Sequence, residues 1–348
     1  MNSTPNGLRL LAVAAAFGVS ILVLIAAGSD PIAALGALLG GAVGDRYAVA
    51  DTMLKTCPLL FTGLAVAIAF RAGVWNIGAE GQLLVGALAA TAIGSAASAL
   101  PPPLPVICAL GAGVLAGAAW GGLAALLRVT RNVSEVIGTI MLNFIALRLV
   151  GWAVHGPLME QAARYPQSDL LPAAALLPTL VGRVHAGTLL AVLAAIAIWI
   201  VLFRTTVGFR WRAVGANPRA AAVQGFEPNR ALVSVMLTSG ALAGAAGAIE
   251  VLGVTGRLYG QFSAGHGYTA IAVALLARLH PGGVVMAATL FGALAAGAGA
   301  MQRVAGVSAV FVSVVQAVTI FTVLALEAVR SGHTARRGTA TDAREEHA

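Results

Sequence analysis

Lysine is all but missing from this chain: Lys55 is the only one in 348 residues. A phosphate-binding P-loop needs a Gly-Lys pair, and Lys55 follows Leu54, so ATP hydrolysis by that route is excluded. Charge of either sign is scarce, at 10% of residues, against about 25% in soluble domains. There are only two cysteines, Cys57 and Cys108, with no metal or redox spacing. Both fall in apolar segments and are expected to pack rather than react. The six histidines are scattered, and none forms the His-Glu-x-x-His pattern of zinc hydrolases. No metal, no cofactor and no enzymatic constellation of nucleophile and base is expected. Nor does any string of acids within the apolar segments mark a proton relay.

Apolar surface and glycine are present in excess: 59% hydrophobic residues and 42 glycines. No soluble core could hide that surface, so lipid must face much of it, and small residues allow helices to pack closely there. The fold class expected is all-α, a polytopic membrane protein. A crossing needs about 20 mostly apolar residues. Spans are predicted over 10–27, 53–70, 83–100, 106–127, 136–154, 186–203, 231–254, 284–301 and 307–329. The first is longer than the apolar part of a secretory leader, about 7–15 residues, and is expected as an uncleaved helix. The apolar stretch 31–44 is too short to cross and is expected at the interface. A tenth segment, 268–277, is half length and runs into Arg278, His280 and Pro281-Gly282-Gly283, which predicts a discontinuous helix. Residues 1–330 form one transmembrane domain in this reading, and the polar tail 331–348 is expected to be disordered.

With the N-terminus inside and ten crossings, fourteen of the 21 basic residues fall on the inner side, six on the outer side, and Arg148 within a span. That bias predicts cytoplasmic termini and an even number of crossings. The arginines are single and dispersed, so the net charge of +8 points to membrane lipid and not to nucleic acid.

Three polar stretches interrupt the apolar pattern. The first, Phe70-Arg71-Ala72-Gly73-Val74-Trp75-Asn76-Ile77-Gly78-Ala79-Glu80-Gly81-Gln82, brings Asn76, Glu80 and Gln82 to membrane depth. Such groups must face a cavity or another helix, which makes them candidate path residues; an ordinary tight loop at the surface is the alternative. The second comes five crossings later. Glu250 closes the seventh span, glycines follow at 253, 256 and 260, and His266 and Tyr268 open the half helix. Five is odd, so the two breaks would enter from opposite sides, as in an inverted repeat with its site at the repeat interface. Glu250, His266 and Tyr268 are therefore candidate path residues, with a water-exposed helix end as the alternative for Glu250. The third is Arg131-Asn132-Val133-Ser134-Glu135, where Ser134 is expected to cap a helix that carries Glu135 in its first turn and Asn143 in its span.

The inner loop 204–230 carries five arginines against one acid, Glu227. Within it Asn217 suits an N-cap, Pro218 the first helical position, and Gly225 a left-handed terminus. A two-turn helix is expected there, ringed by Arg210, Arg212 and Arg219, and either resting on anionic lipid or docking a partner. The outer loop 155–183 holds several prolines and is expected as a lid or contact surface.

These stretches occur in an order that resembles the membrane-spanning permease subunits of bacterial ABC importers. The resemblance is carried by residues 70–82 with Leu83-Leu84-Val85-Gly86-Ala87, by Ser134-Glu135-Val136-Ile137 with Thr139-Ile140-Met141-Leu142-Asn143, by the loop 208–218, by Glu250-Val251-Leu252-Gly253, and by 268–277. It runs from about residue 50 to the end of the last span, and is strongest to the branch that moves nucleosides and simple sugars, related to ribose and branched-chain amino-acid permeases. It implies a multi-pass protein of the bacterial inner membrane and alternating access driven by a separate ABC ATP-binding subunit. A second, homologous permease chain and an extracytoplasmic solute-binding protein are implied as partners. The loop holding Arg210, Arg212, Gly215, Asn217, Pro218, Arg219 and Gly225 would then be the ATPase-coupling segment. Asn76, Glu80, Gln82, Asn143, Glu250, His266 and Tyr268 would lie along the path. One departure is Gly265-His266-Gly267-Tyr268, where the family pattern leads one to expect bulkier apolar residues. An ion-coupled secondary transporter working alone fits the broken helices equally well, but leaves the arginine-rich capped loop without a purpose.

Overall fold

A computed structural model describes residues 30–307 of the chain. The expected first span, nearly all of the last and the polar tail lie outside the described residues. Helices are α1 (Pro31–Val43), α2 (Arg46–Arg71), α3 (Ala79–Ala96), α4 (Leu104–Arg131), α5 (Glu135–His155), α6 (Ala186–Arg204), α7 (Thr206–Ala216), α8 (Pro218–Val223), α9 (Pro228–Glu250), α10 (His266–Leu276) and α11 (Pro281–Ala305). Among the described residues seven helices are long and apolar enough to cross a membrane: α2 to α6, α9 and α11. Each coincides with a predicted span. The only strands among them are the short antiparallel pair β1 (Thr179–Val181) and β2 (Val184–His185).

The described residues fall into two compact units, one of residues 49–293 and one of the chain on either side of it. In the smaller unit, α1 starts at Asp30, whose carboxylate accepts the Ile32 N–H at 2.9 Å. Ala34 is then buried against Ala298, Met301 and Val307. The stretch expected at the interface thus has a packed face.

The larger unit is built around α2. Leu64 to Ala69 are all fully buried, so this turn and a half has no solvent or lipid face at all. Pro58 sits inside the helix, and the Thr62 hydroxyl donates to its carbonyl at 2.7 Å. Beside α2, helices α3, α4 and α9 pack on one another through glycine. Gly113, Gly117 and Gly121 of α4 meet Gly240 and Gly244 of α9 with backbone against backbone. That is the small-xxx-small crossing that lets helices approach where lipid supplies no hydrophobic drive.

The loop after α5 is ordered. Backbone bonds run from Ser168 N–H to the Leu258 carbonyl (2.7 Å), from Leu171 to Gly256 (2.9 Å) and from Leu177 to Leu252 (2.8 Å). They tie the loop to the segment that follows α9. Two local expectations are corrected. Cys57 is buried but Cys108 lies on the exposed face of α4. Ser134 occupies the N-cap of α5 without making a side-chain cap bond. Its neighbour Glu135 instead pairs with Arg128 at 3.2 Å, joining the facing ends of α4 and α5.

Candidate functional site

Two helix breaks meet inside the larger unit. The first begins where α2 ends. Gly73 turns the chain at φ 75°, and residues 74–78 run to the start of α3. The second begins with a π-helical turn, Val251–Thr255, that closes α9. It passes Gly256 at φ 64° and Gly265 at φ 83°, then enters α10. At 11 residues α10 is about 16 Å long, half the ~30 Å apolar thickness of a bilayer.

Glu80 joins the two breaks. It lies in the first turn of α3 and is 6% exposed. Its Oε2 accepts the Gly267 N–H at 2.7 Å, and Ser263, whose Oγ accepts the Gly265 N–H at 3.2 Å, lies beside it. One carboxylate therefore faces the free N–H groups at the start of α10 from the start of α3, where both helix dipoles favour negative charge. Gly267 is required by this approach, because any Cβ there would collide with the Glu80 backbone.

Asn76 and Gln82 form a second junction. Their side-chain amides bond reciprocally, at 3.1 Å and 3.2 Å. Asn76 Nδ2 also donates to Ser239 Oγ of α9 at 2.8 Å, and its Oδ1 accepts Gly78 N–H at 2.9 Å. The Ser239 hydroxyl in turn donates to the Ala65 carbonyl of α2 at 2.7 Å. Asn143 of α5 does similar work. It accepts from Gly81 N–H (2.8 Å) and donates to the Ile77 carbonyl (2.9 Å) and to the Tyr268 hydroxyl (3.4 Å). Asn76, Gln82 and Asn143 are each 2% exposed or less. Their polar atoms are taken up by protein, as burial in an apolar setting requires.

The other three candidates stand at the edge of this cluster. Tyr268 is 47% exposed. Glu250, the last residue of α9, is half-buried, as is His266 at the start of α10. Lys55 of α2 lies within Coulombic reach of both. The structure thus gathers Asn76, Glu80, Gln82, Asn143 and Tyr268 around the two breaks in three bonded sets, Asn76 with Gln82, Asn143 with Tyr268, and Glu80 with Gly267, and leaves Glu250 and His266 outside them, each within Coulombic reach of Lys55. Ser239 and Ser263 carry no signal in the sequence, and Lys55 stands out there only by being single. The lone lysine amid apolar residues was the one available signal.

The predicted capped helix is present as α8. Asn217 Oδ1 accepts the N–H groups of Arg219 and Ala220 at 3.1 Å each, Pro218 is the first residue, and Gly225 has φ 81°. Val223 stands 87% exposed. Helix α7 falls where the sequence predicts a loop, and Thr205 caps it by accepting Gly208 N–H at 3.2 Å. Trp211 of α7 is buried, and its indole donates to Ser234 of α9 at 2.8 Å. Arg210 and Arg219 are exposed. Arg212 lies over the rings of Phe203 and Phe209, and Arg71 also lies over Phe203. Gly215 is packed on the end of α2, where a Cβ would meet the Arg71 carbonyl.

Among known proteins, the family described as "Branched-chain amino acid transport system / permease component" matches residues 48–324. The guanosine ABC transporter permease protein NupP of Bacillus subtilis is 37% identical, over 92% of this chain and 93% of that protein. The glucose ABC transporter permease protein TsgB13 of Haloferax volcanii is 35% identical, over 92% and 87%. A second Bacillus subtilis relative, the guanosine ABC transporter permease protein NupQ, is 27% identical over 70% and 79%. No solved structure matches.

Proposed function

Because this chain belongs to the family of branched-chain amino acid transport permease components, and is a multi-pass membrane permease subunit of an ABC transporter, we propose that it forms the import path for nucleosides or related ribosides and simple sugars. The solute class rests on the relatives, which are named for guanosine and glucose. The mechanism rests on one observation, the junction of two helix breaks at Glu80. A path that opens alternately to each side needs broken helices whose ends are held at a fixed point near the middle. Tyr268, Glu250 and His266 line that path. Asn76, Glu80, Gln82 and Asn143 act behind it, since their bonding capacity is already used, and they fix where the half helix begins.

The arginine-rich end, with α7 and α8, faces the cytoplasm of a bacterial cell, and the loop after α5 faces outward. A separate ATP-binding subunit drives the cycle and receives α8. An extracytoplasmic binding protein delivers solute. Two different relatives in one organism carry the guanosine permease name, which favours a homologous second permease chain over a homodimer. A lone ion-coupled carrier is not favoured, because the relatives are ABC permeases along nearly their whole length.

The reading is tested by reconstituting permease, partner permease, ATPase and binding protein in liposomes. Labelled guanosine or glucose should accumulate only with ATP, and an ionophore should leave the rate unchanged. Uptake by the lone chain that collapses with the ionophore would overturn it. For the coupling segment the informative variant is Val223→Asp. It puts a charge on an exposed apolar tip and disturbs no contact inside the permease, so co-purification of the ATPase should fall at least tenfold while the permease stays monodisperse. Gly215→Glu is a poor probe of docking, since it would first force α7 off α2. Asn217→Ala removes two cap bonds, and a cap contributes about 1 kcal/mol. A weaker, several-fold loss of co-purification is expected.

A further inference from the structure

Arg148 is the one charged residue in the interior turns of α5, and neither the path nor the coupling segment uses it. It lies 13 residues from the start of the helix at Glu135 and is exposed. No carboxylate among the described residues pairs with it. An arginine in a membrane span faces water or protein, not lipid tails. What it faces here is a cavity of about 910 Å³. Arg148, Trp152 and His155 of α5 form one wall, with Tyr165 and Gln167 of the outer loop and Tyr259 and Gln261 of the segment after α9 opposite.

The walls are held in place. Gln167 and Tyr259 pair as an isolated backbone bridge, and Gly260 N–H donates to the Pro166 carbonyl at 3.2 Å. Glu160 braces the loop from behind, accepting from the Gln167 amide at 2.6 Å and from the Tyr165 and Arg164 N–H groups at 3.0 and 3.3 Å. His155 is anchored to its own helix through the Gly151 carbonyl at 2.7 Å. The cavity therefore has built sides, and its volume is within the range of small-molecule sites.

Its chemistry combines one cation with aromatic rings and amides. The lining offers a guanidinium, two glutamine amides and the flat faces of a tryptophan and two tyrosines, and it contains no carboxylate. A phosphorylated solute would bring two charges to one guanidinium. A planar base with two adjacent acceptors on one edge fits both features, stacking on the aromatic faces while the guanidinium bonds both acceptors.

We propose that this cavity is an outer subsite for the base of a purine riboside, with Arg148 reading the O6 and N7 acceptors of a 6-oxopurine. The inference rests on the riboside reading above and gives the outer loop a purpose: it supplies half of the subsite. Selection would occur here as solute leaves the binding protein, before the junction at Glu80 is reached.

The test uses the purified complex without binding protein, titrated with guanosine, inosine and adenosine and followed by saturation-transfer NMR. Wild type should prefer the two 6-oxopurines. Arg148→Gln should reverse the ratio by tenfold or more, because a glutamine amide matches the N6 and N7 edge of adenine. Tyr165→Ala, a change in an exposed loop, should weaken all three ligands by a similar factor and leave the ratio alone. A ratio unmoved by Arg148→Gln, or equal binding of all three by wild type, overturns the inference. Transport assays on the full system separate the two levels. Riboside uptake with a ratio independent of Arg148 overturns this subsite only. Sugar uptake with no riboside uptake overturns the riboside reading and the subsite with it.

Discussion

Glu80→Ala should lower solute uptake about a hundredfold and the melting temperature of the purified permease by several degrees, without blocking its extraction from the membrane. The Gly267 N–H at the start of α10 is given to this carboxylate, and Ser263 and the Gly265 N–H lie beside it. Each donor left unsatisfied away from water costs about 1–3 kcal/mol. Water can recover some of that at Ser263, which is half-buried, but not at Gly267, which is buried. The half helix would lose its fixed origin, and Tyr268 would move with it. Glu80→Gln separates geometry from charge. It keeps an oxygen for the Gly267 N–H and loses the negative charge that two helix N-termini favour, so uptake should fall only about tenfold. Wild-type uptake by Glu80→Ala would show that the junction at Glu80 does not hold the path. Equal and complete loss in both variants, with aggregated protein, would make the residue a folding determinant alone.

The sequence was most legible where the determinants are local. The α8 helix needed only Asn217, Pro218 and Gly225 within nine positions, and each occupies the cap, first-turn or left-handed place that its chemistry suits. The seven spans were legible from apolar length alone. Helix α7 was not. Its Gly208 and Gly215 read as loop residues, but both are demanded by close contact, with the end of α6 and the end of α2. The polar cluster was half legible. Four polar groups at depth announced a special place, but not what they bond. Asn76 meets Ser239 across 163 residues, and Glu80 meets Gly267 across 187. No local pattern encodes such a pairing, and its absence leaves the same side chains looking like solute contacts. Ser134 shows the reverse error. It has the right residue type at the right position, yet makes no side-chain cap bond, while Glu135 turns to Arg128.

Gly244→Val should prevent the permease from folding, the largest effect on stability expected of any single change here. A Cβ on Gly244 would strike the Gly113 carbonyl oxygen and sit 2.8 Å from the Gly117 Cα. The opposing atoms are backbone on both counts, so no side chain can swing aside. Gly86 of α3 also faces Gly244, with backbone where its own Cβ would be. Relief therefore requires α9 to separate from α4 and α3 together, giving up the close packing that holds helices in lipid. Overpacking that a rotamer change can absorb costs about 1–3 kcal/mol, and values above about 4–5 mark a broken core. This substitution belongs to the second kind. Gly111→Ala is the matched control, since nothing lies within 4 Å of the added carbon. It should give a wild-type yield of monodisperse protein after extraction, and Gly244→Val none. If Gly244→Val were recovered monodisperse and active, α4 and α9 could not be in backbone contact. The place of Ser239, five residues earlier on α9, would then fall with it, and so would the anchoring of Asn76.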